Sequence, residues 1–247
     1  MKNHVLILAG GKGTRMQTAM PKVLTPVNGT PMLHHLTESI SKVVKDISII
    51  VGYRGEDVIS AMGESYNYVW QREQLGTGHA VACARESLEK LPIENLIVLP
   101  GDHPFISSNT IAGLLDVHEA SGATVSLATI RVPGFDGESL PFLQYGRIVR
   151  DAQGTITRIV EYKDATDEEK AITEVNASYY AFNPKWLWEN INSITTANNA
   201  HEFYLTDLIE RAVSQNQPIA SYIIQNPIEG MGANTPEHIE VLEKLVS

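Results

Sequence analysis

Val5-Leu6-Ile7-Leu8-Ala9-Gly10-Gly11-Lys12-Gly13-Thr14-Arg15-Met16, followed closely by Pro21-Lys22-Val23-Leu24, decides how the rest of the chain is read. Val5 to Ala9 is an unbroken apolar run, which suits a strand buried on both faces of a sheet. It runs straight into three glycines, where the backbone can turn sharply and come close to a ligand. Backbone N–H groups with no Cβ to shield them can point at phosphate oxygens. Arg15 and Lys22 place two cations within a few residues of that turn. Together these features read as a nucleoside triphosphate cradle at the carboxyl end of the first strand. Two commoner glycine motifs do not fit. A Walker A loop requires Lys after its last glycine, and Gly13 is followed by Thr14. A dinucleotide fingerprint counted from Gly11 would need a third glycine at Met16.

Working outward, strand and helix signals alternate through the first half. Helical spacing covers Pro31 to Val44, with Pro31 suited to a first helical position. Strands are expected at Ile47–Val51, Tyr68–Trp70, Leu96–Leu99 and Ala123–Ile130. Helices are expected at Val58–Met62, from the Gly76-Thr77-Gly78 turn through Leu88, and at Ile111–His118. This pattern predicts an α/β fold with three layers, Rossmann-like, around a mostly parallel sheet. Ligands in such sheets sit beyond the carboxyl ends of the strands, where each chemistry-bearing loop of this chain falls. The second half is less regular. Val132 to Gln144, with Pro133, Gly134, Gly137 and Pro141, reads as a long surface loop. Tyr145–Arg150 and Ile156–Glu161 read as a hairpin around Asp151-Ala152-Gln153-Gly154. A strand at Thr173–Phe182, helices at Leu187–Ile191 and Phe203–Val213, and a strand at Ile219–Ile224 follow. A final helix spans Pro236–Val246, with Thr235 as cap and His238 at the box position. One domain, 1–247, is expected, with the glycine-loop half at 1–130 and a smaller β-rich half at 131–247.

The 247 residues are 43% hydrophobic and 19% charged, the balance of a folded protein rather than a disordered one. Nineteen basic against 29 acidic residues leave a net charge of −10, which argues against nucleic acid or an anionic membrane as partner. The single cysteine, Cys83, excludes an intramolecular disulfide and a cysteine-rich zinc site, and its helical surroundings suggest a small buried apolar residue. No apolar run reaches the length of a membrane span, and the chain opens directly on a strand. The cytoplasm is therefore the expected location, and the sequence leaves oligomeric state open.

Further residues extend the cradle. Gln71, before Gly76-Thr77-Gly78, has an amide that donates and accepts, which suits the N3–H and carbonyl pattern of uracil. Asp102 follows an apolar strand and Gly101, a natural place for a Mg²⁺ ligand beside phosphates. His103 reads as a loop residue. Glu161, Lys163, Asn176, Tyr204, Thr206 and Asp207 form a dispersed polar set able to meet sugar hydroxyls. Asn234 suits either a turn or a carbonyl-type metal ligand.

At this point the chain resembles the sugar-phosphate nucleotidyltransferases, and most closely the uridylyltransferase domain of the bacterial N-acetylglucosamine-1-phosphate uridylyltransferases. Leu8 to Met16 with Pro21-Lys22-Val23-Leu24 is similar to that family's signature, and Gln71 to Ala80 to its uracil loop. Tyr145 to Ile148, Val160 to Glu168 and Glu202 to Asp207 are similar to its sugar-site segments. The resemblance implies that Leu8, Ala9, Gly10, Gly11, Gln71, Gly76 and Thr77 hold uridine, and that Arg15 and Lys22 hold phosphates. It implies Mg²⁺ on Asp102 and Asn234, and an amino-sugar phosphate on Gly146, Glu161, Asn176, Tyr204 and Thr206. Arg15, Lys22 and Asp102 would be the catalytic set. The chain departs from the family at Pro100, at Ala177-Ser178 and in its longer Val132–Gln144 loop. The family's larger members add a left-handed β-helix that transfers acetyl groups. Its hexapeptide repeats are absent here, so acetyl transfer is not expected.

The implied reaction joins UTP to N-acetylglucosamine 1-phosphate with loss of pyrophosphate. Alternatives keep the chemistry with another sugar 1-phosphate, such as glucose 1-phosphate, with another phosphorylated alcohol, or with a thymine or cytosine nucleotide. A non-catalytic nucleotide-binding module is a further alternative.

Overall fold

The apolar run at the head of the chain folds as β1 (Asn3–Leu8), and it hydrogen-bonds to a parallel neighbour on each side. The structure, a computed structural model, describes residues 2–16 and 20–246. After β1 come a short ribbon of β2 (Pro26–Val27) and β3 (Thr30–Pro31), then α1 (Met32–Ser41), β4 (Asp46–Val51) and α2 (Gly55–Met62). Next are β5 (Asn67–Trp70), α3 (Thr77–Cys83), α4 (Arg85–Leu88), β6 (Asn95–Pro100), α5 (Ser108–Ser121) and β7 (Val125–Arg131). The second half supplies β8 (Arg147–Arg150), β9 (Ile156–Val160), α6 (Asp167–Lys170), β10 (Glu174–Phe182), α7 (Pro184–Asn190), α8 (Asp207–Ser214), β11 (Ile219–Ile223) and α9 (Pro236–Val246).

The main sheet runs in the order β11-β7-β10-β6-β1-β4-β5. Only β10 is antiparallel to its neighbours along that path, and the β8–β9 hairpin branches from β10. Side chains alternate across β1, as they must in a pleated strand. Val5 and Ile7 enter one core with α1, α2 and α5, while Leu6 enters the other with α3, α4, α7 and α8. The three layers and the mostly parallel sheet are those expected from the sequence. Because β4 and β6 leave β1 in opposite directions, their loops part at its carboxyl end and open a crevice there.

Several local expectations shift. Pro31 ends β3 in an extended conformation (ψ 139°), so α1 starts one residue later. The helix expected to run through Leu88 breaks at Ala84, whose N–H bonds back to Val81 rather than one residue further. Helix α8 begins only at Asp207, because Phe203 and Leu205 are held by the Gln71–Gly78 loop instead. Within the expected Val132–Gln144 loop, Gly137–Gln144 winds into a 3-10 turn with Phe142 buried. Arg147 explains that order. It is fully buried, donates to the carbonyls of Leu143 (2.9 Å), Tyr145 and Lys170 (3.2 Å), and stacks over Phe135 at 4.2 Å. Helix α6 is an addition, opened by a capping box between Thr166 and Glu169. Cys83 is half-buried rather than buried. Among the described residues, no helix is long and apolar enough to cross a membrane.

Candidate active site

A cleft of about 620 Å³ opens at the carboxyl end of β1. Its floor at one end is the Ala9–Gly13 loop. Gly13 takes a left-handed φ of 57°, and a Cβ there would fall 2.6 Å from Cβ of Lys22. The absent side chain is what lets Lys22 pass beneath the loop. Lys22 then pairs with the Asp102 carboxylate that follows β6, and donates to Asn234 Oδ1 at 2.6 Å. Arg15 reaches the same Asn234 oxygen at 3.4 Å. Four residues from three distant stretches of sequence are thus gathered in one polar cluster facing the glycine loop.

Burial alone would raise the Asp102 carboxyl, but the Lys22 ammonium, His103 and local hydrogen bonds hold it below the ordinary carboxylate range. His103 is buried and its pKa falls to about 4, so it is neutral near pH 7. Tyr179 donates its hydroxyl proton to Glu229 O (2.6 Å), so it accepts from His103 Nδ1 (2.9 Å). The segment bearing Asn234 is tied to Asp102 directly, since Ala233 donates its backbone N–H to Asp102 O at 3.0 Å. His238, in the first turn of α9, accepts from the Asn234 backbone at 3.3 Å, and Thr235 Oγ1 accepts from His238 N at 3.4 Å. The expected cap at the start of α9 therefore forms, with the His238 ring bonded to Asn234.

Gln71, Gly76 and Thr77 line the cleft beside the glycine loop. Gly76 has φ 117°, and a Cβ there would meet Phe203 O at 2.6 Å. This close approach belongs to a short zipper. Phe203 N donates to Leu75 O (2.8 Å), Gly78 N to Phe203 O (2.8 Å), and Leu205 N to Thr77 Oγ1 (3.0 Å).

The other end of the cleft is acidic. Glu161 accepts from Thr206 Oγ1 at 3.1 Å. Burial raises its pKa, and Asp164, Asp207 and Glu202 push in the same direction. Asp207 is lifted to about 6 by burial, Glu210 and Asp164. Burial, with Asp164 and Glu161, also raises the Tyr204 hydroxyl.

Leu8, Ala9, Gly10, Gly11, Arg15, Lys22, Gln71, Gly76, Thr77, Asp102, Glu161, Tyr204, Thr206 and Asn234 all line this one cleft. Gly146 and Asn176 do not; they stand behind its wall. A Cβ on Gly146 would come within 3.4 Å of both Glu161 oxygens, and Gly146 O accepts from Asn176 N at 2.8 Å. Asn176 is buried and donates to the Tyr180 hydroxyl at 2.7 Å, while its Oδ1 accepts from Ser178 N. Ser178 and Tyr180, which carry no recognisable site signal in the sequence, also line the cleft. Ser178 lies in a bulge of β10 with φ 63°, so its side chain leaves the strand's alternation. The Ala177-Ser178 departure was the only hint of it. Gln74 and Glu202 complete the wall near the zipper.

Residues 5–165 match the MobA-like NTP transferase domain. Among curated relatives, the bifunctional protein GlmU of Lactococcus lactis subsp. lactis is 42% identical over 236 residues, spanning 95% of this chain and 50% of the relative. The bifunctional protein GlmU of Acholeplasma laidlawii is 40% identical over 245 residues, spanning 99% and 51%. The chain thus spans about half the length of the curated relatives it matches. A solved structure from Bacillus anthracis, named for glucose-1-phosphate thymidylyltransferase and holding sucrose, superposes with a TM-score of 0.75 at 18% identity, covering 98% of this chain and 94% of that one. HddC from Yersinia pseudotuberculosis, complexed with GMP-PN, gives 0.68 at 18% identity over the whole of both chains. These structural likenesses speak for the fold. With a matching domain over most of its length and the cleft at the expected end of the sheet, the chain belongs to the MobA-like NTP transferase family and is a nucleotidyltransferase.

Proposed function

We propose that this chain makes UDP-N-acetylglucosamine and pyrophosphate from UTP and N-acetylglucosamine 1-phosphate. The observation that carries the reading is the Lys22–Asp102–Asn234 cluster with Arg15, set against a glycine loop in a cleft whose far end holds Glu161 and Thr206. The relatives at about 40% identity bear the name of a bifunctional GlmU, which supports the choice of substrates. A reaction consuming a nucleoside triphosphate fits the cytoplasm.

Mg²⁺ suits this donor set. Asp102 and Asn234 offer one carboxylate and one amide oxygen, and both already turn toward a cation, the Lys22 ammonium. Among the described residues no group of three or more His, Cys, Asp or Glu is arranged to hold a metal. A site with two protein oxygens, completed by waters and substrate phosphates, is the arrangement this ion favours. Bound there, Mg²⁺ would neutralise charge on the phosphate oxygens.

A sugar phosphate oxygen attacks the α-phosphorus of UTP in line. A P–O bond forms to it, the bond to the β-phosphate oxygen breaks, and pyrophosphate leaves with the electron pair. The nucleophile is already anionic, so the chain need not supply a base, in keeping with a His103 whose pKa of about 4 makes it a weak one. Arg15 and Lys22 draw off the charge that gathers on the departing pyrophosphate. Glu161 and Thr206 meet sugar hydroxyls, while Gly146 and Asn176 hold that wall from behind.

The test is pyrophosphate release measured for UTP, dTTP and CTP, each against N-acetylglucosamine 1-phosphate and glucose 1-phosphate. The first members of both sets should give the highest kcat/KM. Exclusive use of another sugar phosphate would replace the proposed acceptor, and UTP binding without turnover on any acceptor would point to a nucleotide-binding module.

A further inference from the structure

The Gln71 side chain is buried (4% exposed) at the nucleotide end of the cleft, and its surroundings leave its amide only one orientation. Nε2 lies 3.1 Å from the carbonyl oxygen of Gly76, which can only accept. The amide nitrogen, not the oxygen, must therefore face that way. The same nitrogen lies 3.2 Å from Nδ1 of His79. An NH₂ group facing a ring nitrogen requires that nitrogen to accept, so the imidazole proton sits on Nε2, where it points to Cys83 Sγ at 3.7 Å. Both amide protons of Gln71 are then consumed, one by Gly76 O and one by His79. The oxygen is left over. A Cβ on Gly10 would fall 2.9 Å from it, so only the bare α-carbon of Gly10 keeps that oxygen uncrowded. Among the described residues no protein donor meets Gln71 Oε1.

We infer that His79 is a positioning residue that fixes base specificity by locking Gln71 as a pure hydrogen-bond acceptor. This inference rests on the proposed nucleotidyl transfer and names the base class its site takes. Uracil and thymine carry an N3–H that donates to Oε1. Cytosine carries a bare N3 at the same place, and two acceptors would face each other with no proton between them. A free glutamine would rotate its amide and accommodate either base. Locked by Gly76 and His79, it cannot, and the unpaired acceptors reject cytosine. The donating half of the amide, expected from sequence to serve a base carbonyl, is already used by the protein.

The test compares two substitutions at His79. In His79→Asn the side-chain oxygen stands near the former Nδ1 and still accepts from Gln71. In His79→Leu no acceptor remains. Equilibrium binding of UTP, dTTP and CTP is measured alongside kcat and KM for pyrophosphate release, so that base preference is read without dependence on the sugar. Wild type and His79→Asn should prefer UTP and dTTP to CTP, and His79→Leu should lose at least about tenfold of that preference, chiefly in Kd and KM rather than kcat. An unchanged UTP-to-CTP ratio in His79→Leu, or equal losses in both variants, overturns the lock. Wild-type protein that binds UTP with the expected preference but turns over a different sugar phosphate leaves the lock standing and overturns only the proposed acceptor. Wild-type protein that binds none of the three overturns both. Should the leucine variant not fold, ¹⁵N NMR of histidine-labelled wild type reads the tautomer directly. A proton on Nε2 of His79 supports the lock, and one on Nδ1 overturns it.

Discussion

The two ends of the cleft are built on opposite plans. At the end proposed for the nucleotide, recognition would fall to the backbone and to one immobilised amide. Gly13 and Gly76 carry positive φ, and Gln71 is held by Gly76 and His79. At the end proposed for the sugar, the lining is made of side chains, and they are acidic, partly buried and mutually repelling. Glu161 and Asp207 have raised pKa values, with Asp164, Glu202 and Glu210 contributing. The first end would select by shape, since its positive-φ glycines and its held amide leave little room to adjust. The second holds repulsion between like charges, which a bound sugar with many hydroxyl donors can relieve. Between them sits the cationic cluster of Arg15 and Lys22, the counterweight a chain of net charge −10 needs before it can approach a triphosphate.

That contrast can be broken most severely at its centre. Lys22→Ala and Asp102→Ala should each lower kcat by about 10²–10³-fold, the loss typical of removing a group that stabilises transition-state charge. Circular dichroism should show the fold intact, and near-normal turnover in both would remove the cluster from catalysis. The next largest effect tests the rigid end. Gly76→Ala forces a non-glycine residue to φ 117° and drives a Cβ to 2.6 Å from Phe203 O. A loss of about 1–3 kcal/mol is expected in urea unfolding, together with a raised KM for UTP.

At the acidic end, Asp207→Asn should behave the other way and stabilise the protein. The folded pKa of Asp207, about 6, lies above its unfolded value of 3.8. The folded state therefore binds the proton more tightly, and stability present below pH 3.8 is lost as pH rises through 6. The variant escapes that loss. Its gain in thermal unfolding should be about 1 kcal/mol at pH 7, after allowance for solvent screening at this half-buried site, and should vanish near pH 3.5. The smallest effect is at Ser178. Glycine there relieves a left-handed serine but adds unfolded-state entropy, so stability should move by less than about 1 kcal/mol. KM for the sugar phosphate should shift while KM for UTP stays put, and a change in both would place Ser178 outside the sugar end.

The same contrast explains what the sequence could show. The nucleotide end is written locally: an apolar strand, then glycines, then a cation, so β1, its loop, Gln71 and Gly76 were all legible from adjacent residues. Asp102 was legible for the same reason, as a carboxylate after an apolar strand and glycine. The sugar end is assembled from segments that meet only in three dimensions. Its antiparallel β10 follows from no local pattern, because strand direction in a mixed sheet depends on which neighbours flank it. Tyr180 is one position of the expected Thr173–Phe182 strand with no local mark of a site; it is 2% exposed and still lines the cleft. Arg147 reads from sequence as an ordinary strand residue, yet it is fully buried on carbonyls and an aromatic ring, and it turns an expected loop into a packed turn. Its partners lie up to 23 residues away, beyond any periodicity. The late start of α8 has the same origin, since Phe203 and Leu205 spend their N–H groups on a loop more than 120 residues earlier.

The zipper between Leu75–Gly78 and Phe203–Leu205 makes the two ends one piece of furniture. Thr77 cannot shift without moving Leu205, and Leu205 sits between Tyr204 and Thr206. A nucleotide settling against Gly76, as proposed, would therefore stiffen the wall proposed for the sugar. Whatever ordering the first guest completed, the second would be spared, and by thermodynamic reciprocity the saving would be the same whichever guest arrived first.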